Sequence, residues 1–135
     1  MKDKLAQDYM KKSEVRIKAL YFFLENEDYA DVVREVEEEC VELILKALLR
    51  KMGAEVPKIH DPGKVLEKYR NFLPQQIKED LEAIKEISKS LRKEKELAFY
   101  GVEDFIPTEE YTEKEAKEAI KKAEFIFSTI KNSKF

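Results

Sequence analysis

Along most of the chain, apolar residues return every three or four positions, the spacing that lines one face of a helix. No stretch alternates apolar and polar residues as a half-buried strand does, so the pattern predicts helices and no sheet. The first predicted helix runs from about Lys4 to Leu24, with Ala6, Met10, Ser13, Ile17, Leu20 and Leu24 on one face. The polar stretch Glu25-Asn26-Glu27-Asp28 turns the chain, and Asp28 is the expected cap of the next helix. That second helix, about Tyr29 to Met52, stops at Gly53, where a left-handed C-cap is expected. Its second half, VELILKALL, is apolar nearly all round and marks the central element of the fold.

After the connection GAEVPKIHDPGK, a short helix from about Lys64 to Phe72 presents Val65, Leu66, Tyr69 and Phe72. Pro74 opens the fourth helix at its first turn, where a missing backbone donor is tolerated. Ile77, Leu81, Ile84, Ser88, Leu91, Lys95 and Ala98 form one stripe on this helix, which ends before Gly101. The irregular segment VEDFIPTEEYT is expected to be pinned by Phe105, Ile106 and Tyr111. Thr112 and Glu115 have the spacing of a capping box for the last helix, whose core face is Ala116, Ile120, Ala123, Ile126 (or Phe127) and Ile130. The expected fold is all-α, an up-and-down antiparallel four-helix bundle with one additional short helix, forming a single domain over residues 1–135.

Composition narrows the function classes. The chain has 135 residues, 43% hydrophobic and 41% charged, with 26 basic and 29 acidic residues and a net charge of -3. The charged share is well above the usual value of about 25%, but an ordinary apolar share argues for a folded chain. Near-cancelling charge excludes bulk capture of nucleic acid and leaves room only for a local basic groove. Glutamine occurs only at 7, 75 and 76 and asparagine only at 26, 71 and 132, and abundant Glu and Lys with few amides is a thermophile composition. Cys40 is alone, so an internal disulfide is ruled out. The start MKDKLAQDYMKK has no signal-peptide pattern, and no apolar run approaches a membrane span. A soluble cytoplasmic protein is expected.

Few residues can carry chemistry. With one histidine and one cysteine, metal motifs of the HExxH and CxxC types are absent, so no metal site is expected. The isolated glycines build no phosphate-cradling loop. Cys40 lies between Val36 and Leu43/Ile44 and reads as a small core residue rather than a nucleophile. Glu35, Glu39, Glu42 and Lys46 project within roughly 60° of one another on an ideal helix, roughly 120° from the centre of the apolar face. Two readings stand: a solvated ladder in which Glu42–Lys46 is an i,i+4 pair, or one wall of a polar groove facing the fourth helix. His60, in KIHDPG, is a candidate for acid–base work, although Asp61 there is the natural helix cap. On the fourth helix, Arg92, Glu96 and Tyr100 succeed one another at four-residue steps, either as an exposed ion pair with a terminal aromatic or as an anion site.

Taken together, YADVVREVEEECVELILKALLRKMG, KIHDPGKVL, LRKEKELAFYG and YTEKEAKEAIKKAEFI resemble the HEPN family over roughly residues 5 to 130, in particular its small stand-alone archaeal members. The resemblance implies a helical bundle like the substrate-binding domain of some nucleotidyltransferases, commonly a homodimer. It also implies a frequent partnership with a minimal nucleotidyltransferase in toxin–antitoxin-like pairs. Many members are metal-independent endoribonucleases with an Arg-x(4–6)-His motif. Here Arg92 matches the arginine, but the permitted histidine positions hold Leu97, Ala98 and Phe99. The expected role is therefore non-catalytic binding of a nucleotide, with or without magnesium, or of a nucleotidyltransferase partner. The ligand-binding residues would be Glu35, Glu39, Glu42, Lys46, Arg92, Lys95, Glu96 and Tyr100. An endoribonuclease using Arg92 with His60 or Tyr100, and a purely structural interaction dimer, are the alternatives.

Overall fold

The computed structural model describes residues 3–56, 59 and 61–134; His60 and the side chain of Glu96, both proposed above for the site, lie outside what is described. Helix α1, Lys4–Glu25, starts at Asp3, whose carboxylate accepts the Ala6 N–H at 3.0 Å. A tight turn follows, with Glu27 at φ 60°, before α2, Tyr29–Glu35, begins under the expected Asp28 cap. The helix continues without a break through a π-helical segment, Val36–Val41, into α3, Glu42–Lys51. Gly53, at φ 91°, ends it in a Schellman motif: Gly53 N–H donates to Arg50 O and Ala54 N–H to Leu49 O, each at 3.0 Å.

Helix α4, Pro62–Leu66, is capped by Asp61, which accepts the Lys64 N–H at 3.2 Å, and it passes into a 3-10 stretch, Glu67–Phe72. The single short helix expected here is thus two windings. Phe72 is 74% exposed rather than packed, because a 3-10 helix rises roughly 2.0 Å per residue and carries it past the surface that Leu66 meets. Leu73, in extended backbone, turns into the core instead. Pro74 is the residue before α5, Gln75–Tyr100, not part of its first turn. A one-turn helix α6, Pro107–Glu110, lies in the segment expected to be irregular, and α7, Glu113–Lys131, closes the chain. Phe105 and Tyr111 pin that segment, edge to face at 5.7 Å, and Tyr111 Oη donates to Glu94 at 2.6 Å. Ile106 does not help. Extended backbone alternates its side chains, so with Phe105 turned inward Ile106 points to solvent and is 45% exposed.

Among the described residues there is no strand, only an isolated bridge between Val102 and Phe105. Neighbouring helices run antiparallel: Asp3 meets Arg50 while Arg16 meets Glu39, and Glu14 meets Lys131 while Tyr21 meets Glu124. α3 packs chiefly on α1, and α2 on α5, with α7 against α1, α2 and the π segment. Their shared core is Leu20, Val36, Ile44, Leu45, Leu48, Ile77, Leu81, Ile84, Ile126 and Ile130, all essentially inaccessible. Ile126, not Phe127, is the fully buried member of the last helix. The Thr112–Glu115 capping box is complete in both directions. Thr112→Ala should lower stability by about 1 kcal/mol, a drop in melting temperature of about 3–4 °C for a chain this long. An unchanged melting curve would mean the cap contributes nothing.

Candidate functional site

The π-helical segment decides where the acidic residues go. In it the Glu42 N–H donates to Glu37 O, five residues back instead of four. One residue is in effect inserted, which turns everything after it by roughly 100° relative to a regular helix. The predicted stripe therefore divides. Glu39 pairs with Arg16 of α1 at 3.4 Å, and Glu35 lies in the field of the same arginine while pairing with Arg34. Glu42 pairs with Lys46 at 3.4 Å and acts instead on Glu37. Burial raises the Glu35 carboxyl above the usual range, against the pull of Arg34.

Glu37 is the residue that sequence periodicity missed. It is 0% exposed, and among the described residues no hydrogen-bond donor reaches either carboxylate oxygen. The nearest cation is Lys95 of α5, with Nζ at 3.8 Å from Oε2, beyond hydrogen-bond reach. Burial pushes the Glu37 carboxyl up to about 7; Lys95 and Arg92 pull it down, and Glu42 and Glu38 push it further up. A carboxylate held this way is costly, because a buried charge whose oxygens accept no hydrogen bond keeps much of its desolvation penalty. π segments recur at functional sites.

Lys95, 27% exposed, reaches from Glu37 to the surface. There it lines a cleft of about 200 Å³ with Arg34, Glu38, Phe99 and Tyr100. The Arg34 guanidinium lies 4.2 Å from the centre of the Phe99 ring and bonds Glu38 at 3.1 Å. Phe99 and Tyr100 meet edge to face at 4.7 Å, and Tyr100 is 77% exposed. The cleft unites two cations, one carboxylate and two accessible aromatic faces at the end of α5. Of the residues proposed from sequence it gathers Lys95 and Tyr100, with Arg92 near enough to act on Glu37 behind it; Glu35, Glu39, Glu42 and Lys46 lie elsewhere on the second helix. Larger cavities occur between α1 and α7, about 460 Å³ beside Met10 and Phe127, and beside Asp61 and Lys85, about 510 Å³. None of the described residues proposed from sequence lines either, so size alone does not single out the chemistry.

Cys40 is 0% exposed, and burial pushes its thiol up to about 12, which leaves it protonated and inert at neutral pH. Among the described residues no group of three or more metal-binding side chains comes together, and no helix is long and apolar enough to cross a membrane. The family model for the HEPN domain matches residues 6–133, nearly the whole chain. No curated protein matches the chain in sequence, and no solved structure matches it.

Proposed function

The chain belongs to the HEPN domain family, and from that premise we propose that it binds a nucleotide, without catalysis, in the cleft between α2 and α5. One observation carries this reading: Arg34 and Lys95 stand beside the accessible rings of Phe99 and Tyr100 around one cavity. Cations suit phosphoryl oxygens, and aromatic faces suit a base without regard to its edge. At about 200 Å³ the cleft is smaller than the roughly 300 Å³ that small-ligand sites start from. It takes in one end of such a ligand, and the exposed Tyr100 ring receives the rest. Glu38 beside Arg34 opposes an anion, so magnesium accompanying the phosphates would favour binding. On this reading the four long antiparallel helices act as an up-and-down bundle that holds the cleft rigid.

Titration with ATP, with and without magnesium, is the test. Half-saturation below the millimolar range is expected, with at least a tenfold loss in both Lys95→Ala and Tyr100→Ala. Absence of any thermal shift at millimolar ATP would sink the reading. A second reading has its own observation. Phe99, Tyr100, Val102 and Ile106 are exposed apolar residues within eight positions of one another, a surface that suits a protein partner such as a minimal nucleotidyltransferase or a second copy of the chain. Tyr100→Glu with Val102→Glu should then abolish co-purification of that partner or dissociate the dimer. Ribonuclease chemistry is the weakest reading, since Leu97, Ala98 and Phe99 offer no proton-transfer group where the family motif places its histidine.

A further inference from the structure

The mechanism of binding leaves one group unused, the buried Glu37, and its setting says what it does. Its only ion-pair partner among the described residues is Lys95, the side chain that also lines the cleft. The other charges that face it are Arg92 from α5 and, on its own helix, Glu38 and Glu42. Among the described residues, the buried faces of α1 and α7, both packed against the π segment, carry no ionisable side chain: that of α1 is Ala6, Ser13, Ile17 and Leu20, and that of α7 is Ala116, Ala119, Ile120, Ala123, Ile126, Thr129 and Ile130.

We infer that Glu37 is a positioning residue for Lys95, holding its ammonium at the floor of the cleft, and that a phosphate which takes Lys95 from it leaves a carboxylate that gains one proton from solvent. The inference rests on the nucleotide reading above and assigns the phosphate end, not the base, to the inner cleft. The physics is a competition for one cation. At 3.8 Å the ion pair is loose, and neither carboxylate oxygen is hydrogen-bonded. When the ammonium turns to a phosphate, only the field of Arg92, a weaker pull than that of Lys95, still opposes a charge that is fully desolvated, so the carboxylate becomes a carboxylic acid. The exchange balances: one proton enters from the buffer, one ligand binds, and Lys95 stays charged throughout. By linkage, protons then help the ligand bind, up to about tenfold per pH unit once Glu37 is ionised in the free protein.

The test uses ATP at pH 8, where its phosphates are fully ionised, measured calorimetrically in Tris and in Hepes, whose ionisation enthalpies differ. Wild-type protein should take up between about one half and one proton per ATP bound, Glu37→Gln should take up none, and adenosine should cause no uptake in either. ATP binding without proton uptake, or equal uptake in Glu37→Gln, overturns the exchange while the nucleotide reading survives. Where neither protein binds ATP the nucleotide reading fails, and a ligand-free measurement still judges the positioning role. The carbon-13 signal of the Glu37 carboxyl should titrate at a pH at least about one unit higher in Lys95→Met than in wild type. An unmoved midpoint overturns the positioning of Lys95 by Glu37.

Discussion

Glu37→Gln is expected to stabilise the protein by roughly 3 kcal/mol at pH 8 and by less than about 1 kcal/mol at pH 5. The carboxyl titrates near 7 in the folded chain, against a value of 4.5 for an ordinary glutamate. Between those two values the folded state holds a proton that the unfolded state has released. Stability therefore falls as pH rises through that window, and by pH 8 most of the loss, about 1.4 kcal/mol per unit of difference, has been taken. Glutamine keeps the shape and removes the charge, so this contribution is absent from the variant, while the raised carboxyls of Asp31 and Glu35 act equally in both proteins. The neutral amide leaves Lys95 without its partner, but that ammonium is partly solvated and pays little for the change. Urea denaturation of both proteins at pH 5, 6, 7 and 8 isolates Glu37 as a difference curve. A difference that stays flat across the window, or a variant less stable at pH 8, would show that Glu37 is not strained by its burial.

The second large effect is expected at Gly101. Its backbone, at φ 67° and ψ -166°, occupies a region that is essentially reserved for glycine. A Cβ placed there would lie 2.5 Å from Phe105 O and 2.6 Å from Pro107 Cδ. Phe105 O cannot withdraw cheaply, because it accepts the Val102 N–H at 3.1 Å while Phe105 N–H donates to Val102 O at 2.9 Å. Gly101→Ala must therefore open that bridge and bear the backbone strain as well. We expect a loss of roughly 3 kcal/mol, or about 10 °C in melting temperature. Hydrogen exchange at the Val102 and Phe105 amides should accelerate more than exchange in the core of α3. A melting temperature within 2 °C of wild type would mean the 101–107 segment relaxes around the methyl group without penalty.

Several features that a few adjacent residues decide are legible in the sequence, although Pro74 falls one residue before its helix and Pro107 opens an unexpected turn of helix. Asp28 and Asp61 cap their helices, Gly53 adopts the left-handed turn, and Thr112 with Glu115 closes its box. The buried stripe of α5, from Ile77 to Ala98, was equally plain, since a regular helix repeats without ambiguity. Phe72 and Ile106 defeated the reading because apolar character says nothing about whether the chain's path leaves anything to pack against.

The site was harder. Placing Glu35, Glu39, Glu42 and Lys46 together assumed 100° per residue through Val36–Val41, and the π segment breaks that assumption. A clue was present: three glutamates in succession, 37 to 39, span about 200° of a helix, so one of them lies near the apolar face. Glu37 is that residue, on the opposite flank from the stripe. Nothing local marks it as the buried one, because its partner, Lys95, is 58 residues away in the chain. Arg34 and Phe99 escaped for the same reason, since their contact joins two helices distant in sequence.

The π segment also makes one rod serve two sets of neighbours. Before it, α2 packs mainly on α5; after it, α3 packs mainly on α1. Both halves stay in register only while the extra residue is present. The register of both halves therefore depends on the length of Val36–Val41 more than on its composition. Losing one residue there would restore a regular helix, swing the α3 core residues Ile44, Leu45 and Leu48 away from their partners, and withdraw Glu37 from Lys95 in the same stroke.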